Sequence, residues 1–348
     1  MTFERDDYLS WYIPRMMRGD GAINLHASGV PMVDPSEIDR PQGEAMQMSG
    51  LFEQRLSEWL DIPAAELVFT PGATGGTLLT LLQLGLPGSE IVVENPIYEP
   101  MLRQAERLAT VRRLERRFER NWGFSLDDAE KLIGPNTSLV MITEPHNPSG
   151  VFSDRDDVLS LARLAAANGA TLLINEVYLG YTDQPTYHGA ADNIVAVASL
   201  SKLLGAYWAR AGWLAAPAAV AERLRAAHWN MGMPCQPGAQ AGIGFLEQAN
   251  ERRSAARQLA RDGVGALDSW IEATANATWI RPQDTGFGCV ALPSGSDDRA
   301  LAEKLHDEDG VLVVPGTWFG APGTLRVSWL QAGDRLEQGL ARLRSAIS

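Results

Sequence analysis

Lys202 lies in the run Ser199-Leu200-Ser201-Lys202-Leu203-Leu204-Gly205, eight residues before Arg210. A lysine directly after an apolar run, among small hydroxylated residues, is unusual, because lysine is rarely buried unless paired. Partial burial suppresses the charge of such an amine and leaves a nucleophile. The plainer reading is a surface lysine at a helix start. Pro71-Gly72-Ala73-Thr74-Gly75-Gly76 stands between an apolar strand and an apolar helix, where backbone N–H groups and the Thr74 hydroxyl can cradle a phosphate. It matches neither GxGxxG nor GxxxxGK[ST], and tight strand–helix turns are glycine-rich for steric reasons alone. Asn147, between the prolines of Glu144-Pro145-His146-Asn147-Pro148, is held in a rigid turn from which its amide can reach a ligand oxygen.

Asn175-Glu176-Val177-Tyr178 and Asn95-Pro96-Ile97-Tyr98 each follow an apolar run, and Tyr98 offers a ring for stacking. Each motif also reads as a plain turn or core residue. Together they occupy five successive strand ends, and in open α/β sheets the crevice beyond the strand carboxyl ends is where ligands bind.

The elements that position these groups are legible in the hydrophobic pattern. Short apolar runs at 67–70, 90–94, 111–115, 138–143, 170–175 and 194–198 alternate with helices over 77–84, 98–108, 125–133 and 154–168. That rhythm predicts an α/β fold, a mostly parallel sheet with helices on both faces. A strand or turn follows at 212–214. A helix over 50–60 precedes the alternation, and residues 1–20 read as a short amphipathic helix carrying Tyr8, Trp11 and Tyr12. A continuous helical pattern over 237–275 leads to strands at 278–280, 288–292, 311–314 and 325–328 with helices at 298–308 and 333–346, a smaller α+β unit. The expected division is an N-terminal arm and part of the small domain over 1–37, a large ligand-binding domain over 38–230, and a connecting helix with the small C-terminal domain over 231–348.

With 348 residues, 45% hydrophobic and 21% charged, the chain has the composition of a globular protein. Its net charge of −13 gives no electrostatic basis for binding nucleic acid or anionic membranes. The run Arg112, Arg113, Arg116, Arg117 and Arg120 is interspersed with Glu115 and Glu119 and reads as a solvated surface. Two cysteines, Cys235 and Cys289, and five scattered histidines offer no disulfide framework and no metal motif, so no metal site is expected. The acidic amino terminus and the absence of a long apolar run lead us to expect a cytoplasmic protein.

In order, spacing and strand-end context, these motifs resemble the fold-type I pyridoxal phosphate enzymes, class I/II aminotransferase-like, from about Gly29 to Leu330. The resemblance implies a three-layer aminotransferase-like large domain, pyridoxal 5′-phosphate as cofactor, an α-amino acid as substrate and a homodimer. It implies that Lys202 forms the internal Schiff base and, once freed, acts as the base at Cα. Ser199 and Arg210 match phosphate contacts, as do the amides of Ala73 and Thr74 with the Thr74 hydroxyl. Tyr98 matches the aromatic residue stacked on the ring; Asn147 and Tyr178 match the partners of its phenolic oxygen. Arg326 matches the clamp on the substrate carboxylate, and Gly29 the glycine of a loop closing over it.

Two departures stand out. The family's aspartate at the ring nitrogen is here Asn175, which can donate a hydrogen bond but cannot oppose a pyridinium charge. Glu176 should face the other side of the sheet. A weaker electron sink is expected, which favours elimination, replacement or cyclisation over plain transamination. The segment Glu44-Ala45-Met46-Gln47-Met48-Ser49-Gly50 also lacks the tyrosine that reaches the partner's phosphate in the family. The N-terminal portion resembles capreomycidine-synthase-like cyclases acting on hydroxylated arginine derivatives, for which Glu37, Asp39 and Glu44 are the acidic candidates to receive a cationic side chain. Three readings follow: an aminotransferase, a lyase or cyclase on the same scaffold, or a noncatalytic ligand-binding relative.

Overall fold

The computed structural model describes residues 7–17, 21–86, 88–231, 236–331 and 333–347. Cys235, among the cysteines considered above, lies outside them. The chain begins with α1 (Asp7–Met17), β1 (Ile23–Asn24) and α2 (Ala45–Leu60). It continues with β2 (Leu67–Pro71), α3 (Gly72–Leu84), β3 (Glu90–Asn95), α4 (Glu99–Glu106), β4 (Thr110–Glu115) and α5 (Leu126–Leu132). Next come β5 (Thr137–Thr143), α6 (Arg155–Ala167), β6 (Thr171–Asn175), β7 (Ile194–Ser199), α7 (Leu200–Leu204), β8 (Ala211–Ala215) and α8 (Ala218–Asn230). The last part holds α9 (Gln236–Glu247), α10 (Ala249–Glu272), β9 (Thr278–Trp279), β10 (Phe287–Ala291) and α11 (Asp298–Asp307). It ends with β11 (Val311–Leu312), β12 (Val314–Pro315), β13 (Thr324–Ser328) and α12 (Asp334–Ile347).

Seven strands form the main sheet in the order β2-β8-β7-β6-β5-β3-β4, with β8 antiparallel to both its neighbours and the other pairings parallel. Alternation of side chains along each strand sends every second residue to the opposite face. Ile91, Val93, Leu139, Met141, Leu173 and Val195 pack beneath α3, α4 and α8, while Val92, Val140, Ile142, Leu172, Ile174 and Ile194 pack beneath α5 and α6. Both faces are therefore covered, which is why these strands read as continuous apolar runs. The result is the three-layer α/β aminotransferase-type fold. A four-stranded antiparallel sheet, β12-β13-β10-β9, carries the smaller unit, and β1 pairs in parallel with β11 beside it.

Four local expectations change. Helix α3 begins at Gly72, so the glycine-rich turn is the helix's own first turn. The pattern over 237–275 divides into α9 and α10, because Gln248 leaves helical geometry at φ −107°, ψ 6°. Helix α8 was not anticipated. The run 311–314 splits into β11 and β12, which pair in different sheets.

The arginine run is not all solvated surface. Arg116 is fully enclosed: its Nε donates to Glu94 Oε2 at 2.7 Å and its Nη2 to Glu144 Oε1 at 2.7 Å. Glu94 Oε1 accepts from the Thr143 N–H at 2.7 Å, and Glu144 Oε2 from the Ser153 N–H at 3.0 Å. Burial pushes the Glu94 carboxyl up to about 7 against the pull of Arg116. The alternation of charges in Arg112–Arg120 conceals this, since only one arginine turns into the space between the ends of β3 and β5. His146 adds a second tie, its Nε2 lying 2.8 Å from the Pro96 carbonyl oxygen and its Nδ1 2.7 Å from Ser149 Oγ. The loops that follow β3 and β5 are thus fastened to each other. Arg116→Met, which leaves two carboxylates buried without their cation, should cost about 3–5 kcal/mol in chemical denaturation.

Candidate active site

The ends of β2, β3, β5, β6 and β7 open on one edge of the main sheet, and a cavity of about 220 Å³ lies there. Ala73, Thr74, Tyr98, Asn147, Asn175, Tyr178, Ser199, Lys202, Arg210 and Arg326 all line it. A larger cavity of about 340 Å³ lies behind α7, against α2 and α10, but it holds neither Lys202 nor either of these arginines. The smaller one gathers the residues singled out in the sequence.

Lys202 sits in the single turn of α7, just past β7 rather than on the strand itself. Its backbone is gripped from the other side of the molecule. The Lys202 carbonyl accepts from the Val30 N–H at 3.0 Å and from the Tyr181 hydroxyl at 2.7 Å. Burial lowers its amine to about 7, and Arg326 and then Arg210 push in the same direction. An amine that is unprotonated in good part at neutral pH is what covalent and base chemistry require.

Three helices that begin away from the cavity are closed by side chains, Ser125 accepting from Asp128 N, Asp154 from Asp156 N, and Asp297 from Arg299 N and Ala300 N, whereas α2, α8 and α10 have no side-chain cap. Helix α3 has Pro71 at its N-cap and no side-chain cap, so its first-turn N–H groups stay open to an anion. Gly72 has φ +74°, and a Cβ there would stand 2.5 Å from Arg210 Nη2. That leaves room for the guanidinium beside the helix start, where Arg210 donates to the Pro71 carbonyl at 3.3 Å.

Arg326 comes from the centre of β13 and is 3% exposed. Its Nη1 donates to Asn147 Oδ1 at 2.9 Å and its Nη2 to the His26 carbonyl at 2.8 Å, while its Nε has no partner. Phe319 lies below the guanidinium at 4.9 Å from the ring centroid. Asn147 turns its Nδ2 to the Tyr178 hydroxyl at 3.4 Å, and that hydroxyl donates to Ser28 Oγ at 3.0 Å. Burial raises Tyr178, with Arg326 opposing.

Asn175 is 8% exposed. Its Oδ1 accepts from the Val177 N–H at 3.1 Å, and its Nδ2 lies 3.2 Å from Met101 Sδ. Glu176 faces away, as strand alternation predicts, accepting from Thr186 Oγ1 at 2.7 Å and from the Tyr187 N–H at 2.6 Å.

Some expectations shift. Gly29 does not line the cavity; Ser28 does. A Cβ on Gly29 would stand 2.6 Å from the Lys202 carbonyl oxygen and 2.7 Å from its Cα, so the glycine lets residues 28–30 pack on the lysine's backbone. Glu37, Asp39 and Glu44 are not among the lining residues; Glu37 instead faces Arg252 at 3.8 Å. Sequence reasoning did not assign Tyr8, Tyr12, Ser28, Met101, Ser201 or Tyr207 to the site. Tyr8 and Tyr12 stack at 5.1 Å on one face of α1 and roof the cavity, with Tyr8 edge-on to Tyr98 at 5.5 Å. Two hydroxylated aromatics four residues apart were the available signal, but the same spacing describes an ordinary core stripe.

The fit to pyridoxal 5′-phosphate can be tested on the cavity's own polar atoms. Thr143 Oγ1, Ser201 Oγ, the Tyr207 hydroxyl and Arg326 Nε are buried there without hydrogen-bond partners. Unpaired buried donors are costly, and a polar, anionic ligand would satisfy them. With an open helix start, a guanidinium and an amine of lowered pKa, the residues fit the group.

The model of the family "Aminotransferase class I and II" matches residues 44–343. The aspartate aminotransferase of Thermotoga maritima is 27% identical, over 95% of this chain and 93% of its own. Capreomycidine synthase of Streptomyces vinaceus is 28% identical, over 81% of this chain and 74% of its own. A pyridoxal phosphate-dependent aminotransferase of Streptococcus suis superposes with a TM-score of 0.88 at 24% identity, covering 99% of this chain and 98% of that one, a likeness of fold. The chain belongs to the class I and II aminotransferase family. It is an enzyme of that family's pyridoxal 5′-phosphate-dependent kind.

The backbone at Gly29 has an ordinary conformation, so space alone decides what fits there. Gly29→Ala should cost about 1–3 kcal/mol of stability by overpacking. It should also weaken cofactor retention, read by equilibrium dialysis, because the added methyl displaces Lys202.

Proposed function

We propose that the protein is a cytoplasmic, homodimeric aminotransferase acting on a small α-amino acid. One observation carries this reading: an amine held near neutrality opens into the same cavity as an arginine fork and an uncapped helix start. Pyridoxal 5′-phosphate supplies a carbonyl for the amino group and a conjugated ring for the electron pair released at Cα.

Lys202 would hold the cofactor through its amine, and the same amine, when free, would take and return the proton at the substrate Cα. Its low pKa keeps the amine free to accept that proton at neutral pH. Arg326 receives the substrate carboxylate. Its two bonds to Asn147 Oδ1 and the His26 carbonyl fix the plane of the fork before substrate arrives. The Ala73 and Thr74 amides, the Thr74 and Ser199 hydroxyls and Arg210 hold the phosphate. Tyr98 would face the ring, and Asn147 with Tyr178 would bond its phenolic oxygen. Tyr8 and Tyr12 on α1 shield the reacting centre from water.

A second reading, a lyase or cyclase, is favoured by Asn175 and by the absence of any carboxylate among the described lining residues. With Asn175 in that place the protein would supply no anion to strengthen the cofactor as an electron sink, so a departing β- or γ-substituent would be the better outlet for the electron pair. The identity with capreomycidine synthase agrees with this chemistry. A cationic side chain like that of a hydroxylated arginine meets no acidic partner among those residues.

An amino-acid panel with a keto-acid acceptor, read by mass spectrometry, separates the two. The aminotransferase reading predicts a keto acid together with an aminated acceptor. Loss of water or ammonia, or ring closure, with the acceptor unchanged would replace it with the second. In either case Lys202→Ala should abolish turnover. Arg326→Leu should raise KM roughly ten- to hundred-fold, the equivalent of about 1.5–3 kcal/mol for a charged hydrogen bond.

A further inference from the structure

We propose that Asn175 holds the cofactor's ring nitrogen as an unprotonated hydrogen-bond acceptor, so that this enzyme works with a neutral pyridine. The inference rests on the reading that Lys202 holds the cofactor carbonyl and α3 with Arg210 its phosphate. In pyridoxal phosphate the ring nitrogen is para to the carbon bearing the aldehyde, so it points away from the lysine. In that placement it faces the ends of β5 and β6, where Thr143 and Asn175 are register partners.

The amide's orientation decides what Asn175 can offer. Its Oδ1 is taken by the Val177 N–H at 3.1 Å, and a backbone N–H can only donate, so this end of the amide must be the oxygen. Oδ1 already has one donor and keeps only its second lone pair, so the end of the amide that still lacks a strong partner is the NH₂. Its neighbour at 3.2 Å is the Met101 thioether, a weak acceptor that a ring nitrogen's lone pair would readily replace. A protonated ring nitrogen would set donor against donor.

The surrounding charge points the same way. Lys202, Arg210 and Arg326 line the cavity, and no aspartate or glutamate does among the described residues. Tyr8, Tyr12, Tyr98, Tyr178 and Tyr207, which also line it, are all shifted upward by burial and stay neutral. The Thr143 hydroxyl, buried and unpartnered beside Asn175, is uncharged as well. Glu176, next in sequence, is committed to Thr186 and Tyr187 on the far side. A pyridinium would bring one more positive charge to a place where no lining side chain among the described residues supplies an anion to meet it.

The test is the ¹⁵N resonance of holoenzyme reconstituted with cofactor labelled at the ring nitrogen. The wild type should resonate in the neutral-pyridine range at every pH at which it is folded. Asn175→Asp should move the signal upfield to the pyridinium range. Asn175→Ala, which removes the donor without adding charge, should move the neutral signal downfield. A wild-type signal in the pyridinium range overturns the proposal, as does a neutral signal that neither substitution moves. Borohydride reduction followed by peptide mapping tests the underlying reading separately: label bound elsewhere than Lys202 would refute that placement, whatever the ¹⁵N shift.

Discussion

Keeping an amine uncharged beside two guanidiniums is the constraint on which the rest of this structure depends. It is met by a cavity lining that holds no carboxylate among the described residues and by burying Lys202 on a short helix at the sheet edge. The chain is nevertheless strongly acidic, at −13. Several of its acids sit one layer back, where they do structural work. Glu94 and Glu144 enclose Arg116, Glu176 holds the Thr186–Tyr187 turn, and Glu99 accepts from the Tyr8 N–H at 2.5 Å and from Arg103. Those acids fix the loops that deliver Tyr98, Asn147 and α1 while leaving the reacting space without a counterion for Lys202.

That separation gives the site its rigidity. The Arg116 group and His146 fasten the loop after β3 to the loop after β5, so Tyr98 and Asn147 are set relative to each other before any ligand binds. Asn147 in turn orients Arg326, which ties β13 of the smaller sheet to the large one. Residues 28–30 complete the enclosure: Ser28 meets Tyr178, and Val30 meets the Lys202 carbonyl. Two sets of hydrogen bonds, one through Lys202, Val30 and Tyr181 and one through Ser28, Tyr178, Asn147 and Arg326, are thus joined through the backbone of residues 28–30.

Much of this was legible in the sequence, and for identifiable reasons. Parallel strands buried on both faces leave unbroken apolar runs, so their ends can be located, and polar residues at those ends stand out. The strand-end motifs that hold Tyr98, Asn147, Asn175, Tyr178 and Lys202 were visible on that ground. Tyr8 and Tyr12 were not, because an amphipathic stripe looks the same whether it meets a core or roofs a cavity. Arg116 was concealed by its exposed neighbours. Met101 and Tyr207 carry no local signal, since both reach the cavity only through the packing of α4 and of the turn after α7. The role of Gly29 depended on a contact with Lys202 across 173 positions of sequence, which no local pattern records.

The most direct test of the central constraint is the titration of Lys202 itself. The chain has three lysines, Lys131, Lys202 and Lys304, so lysine-selective ¹³C labelling of the cofactor-free protein gives a spectrum that Lys202→Arg assigns by subtraction. Lys202 should titrate with a midpoint of about 7, rising when Arg326→Gln removes the more strongly repelling of the two positive charges. A Lys202 signal titrating at the ordinary lysine value of 10.5 would contradict it.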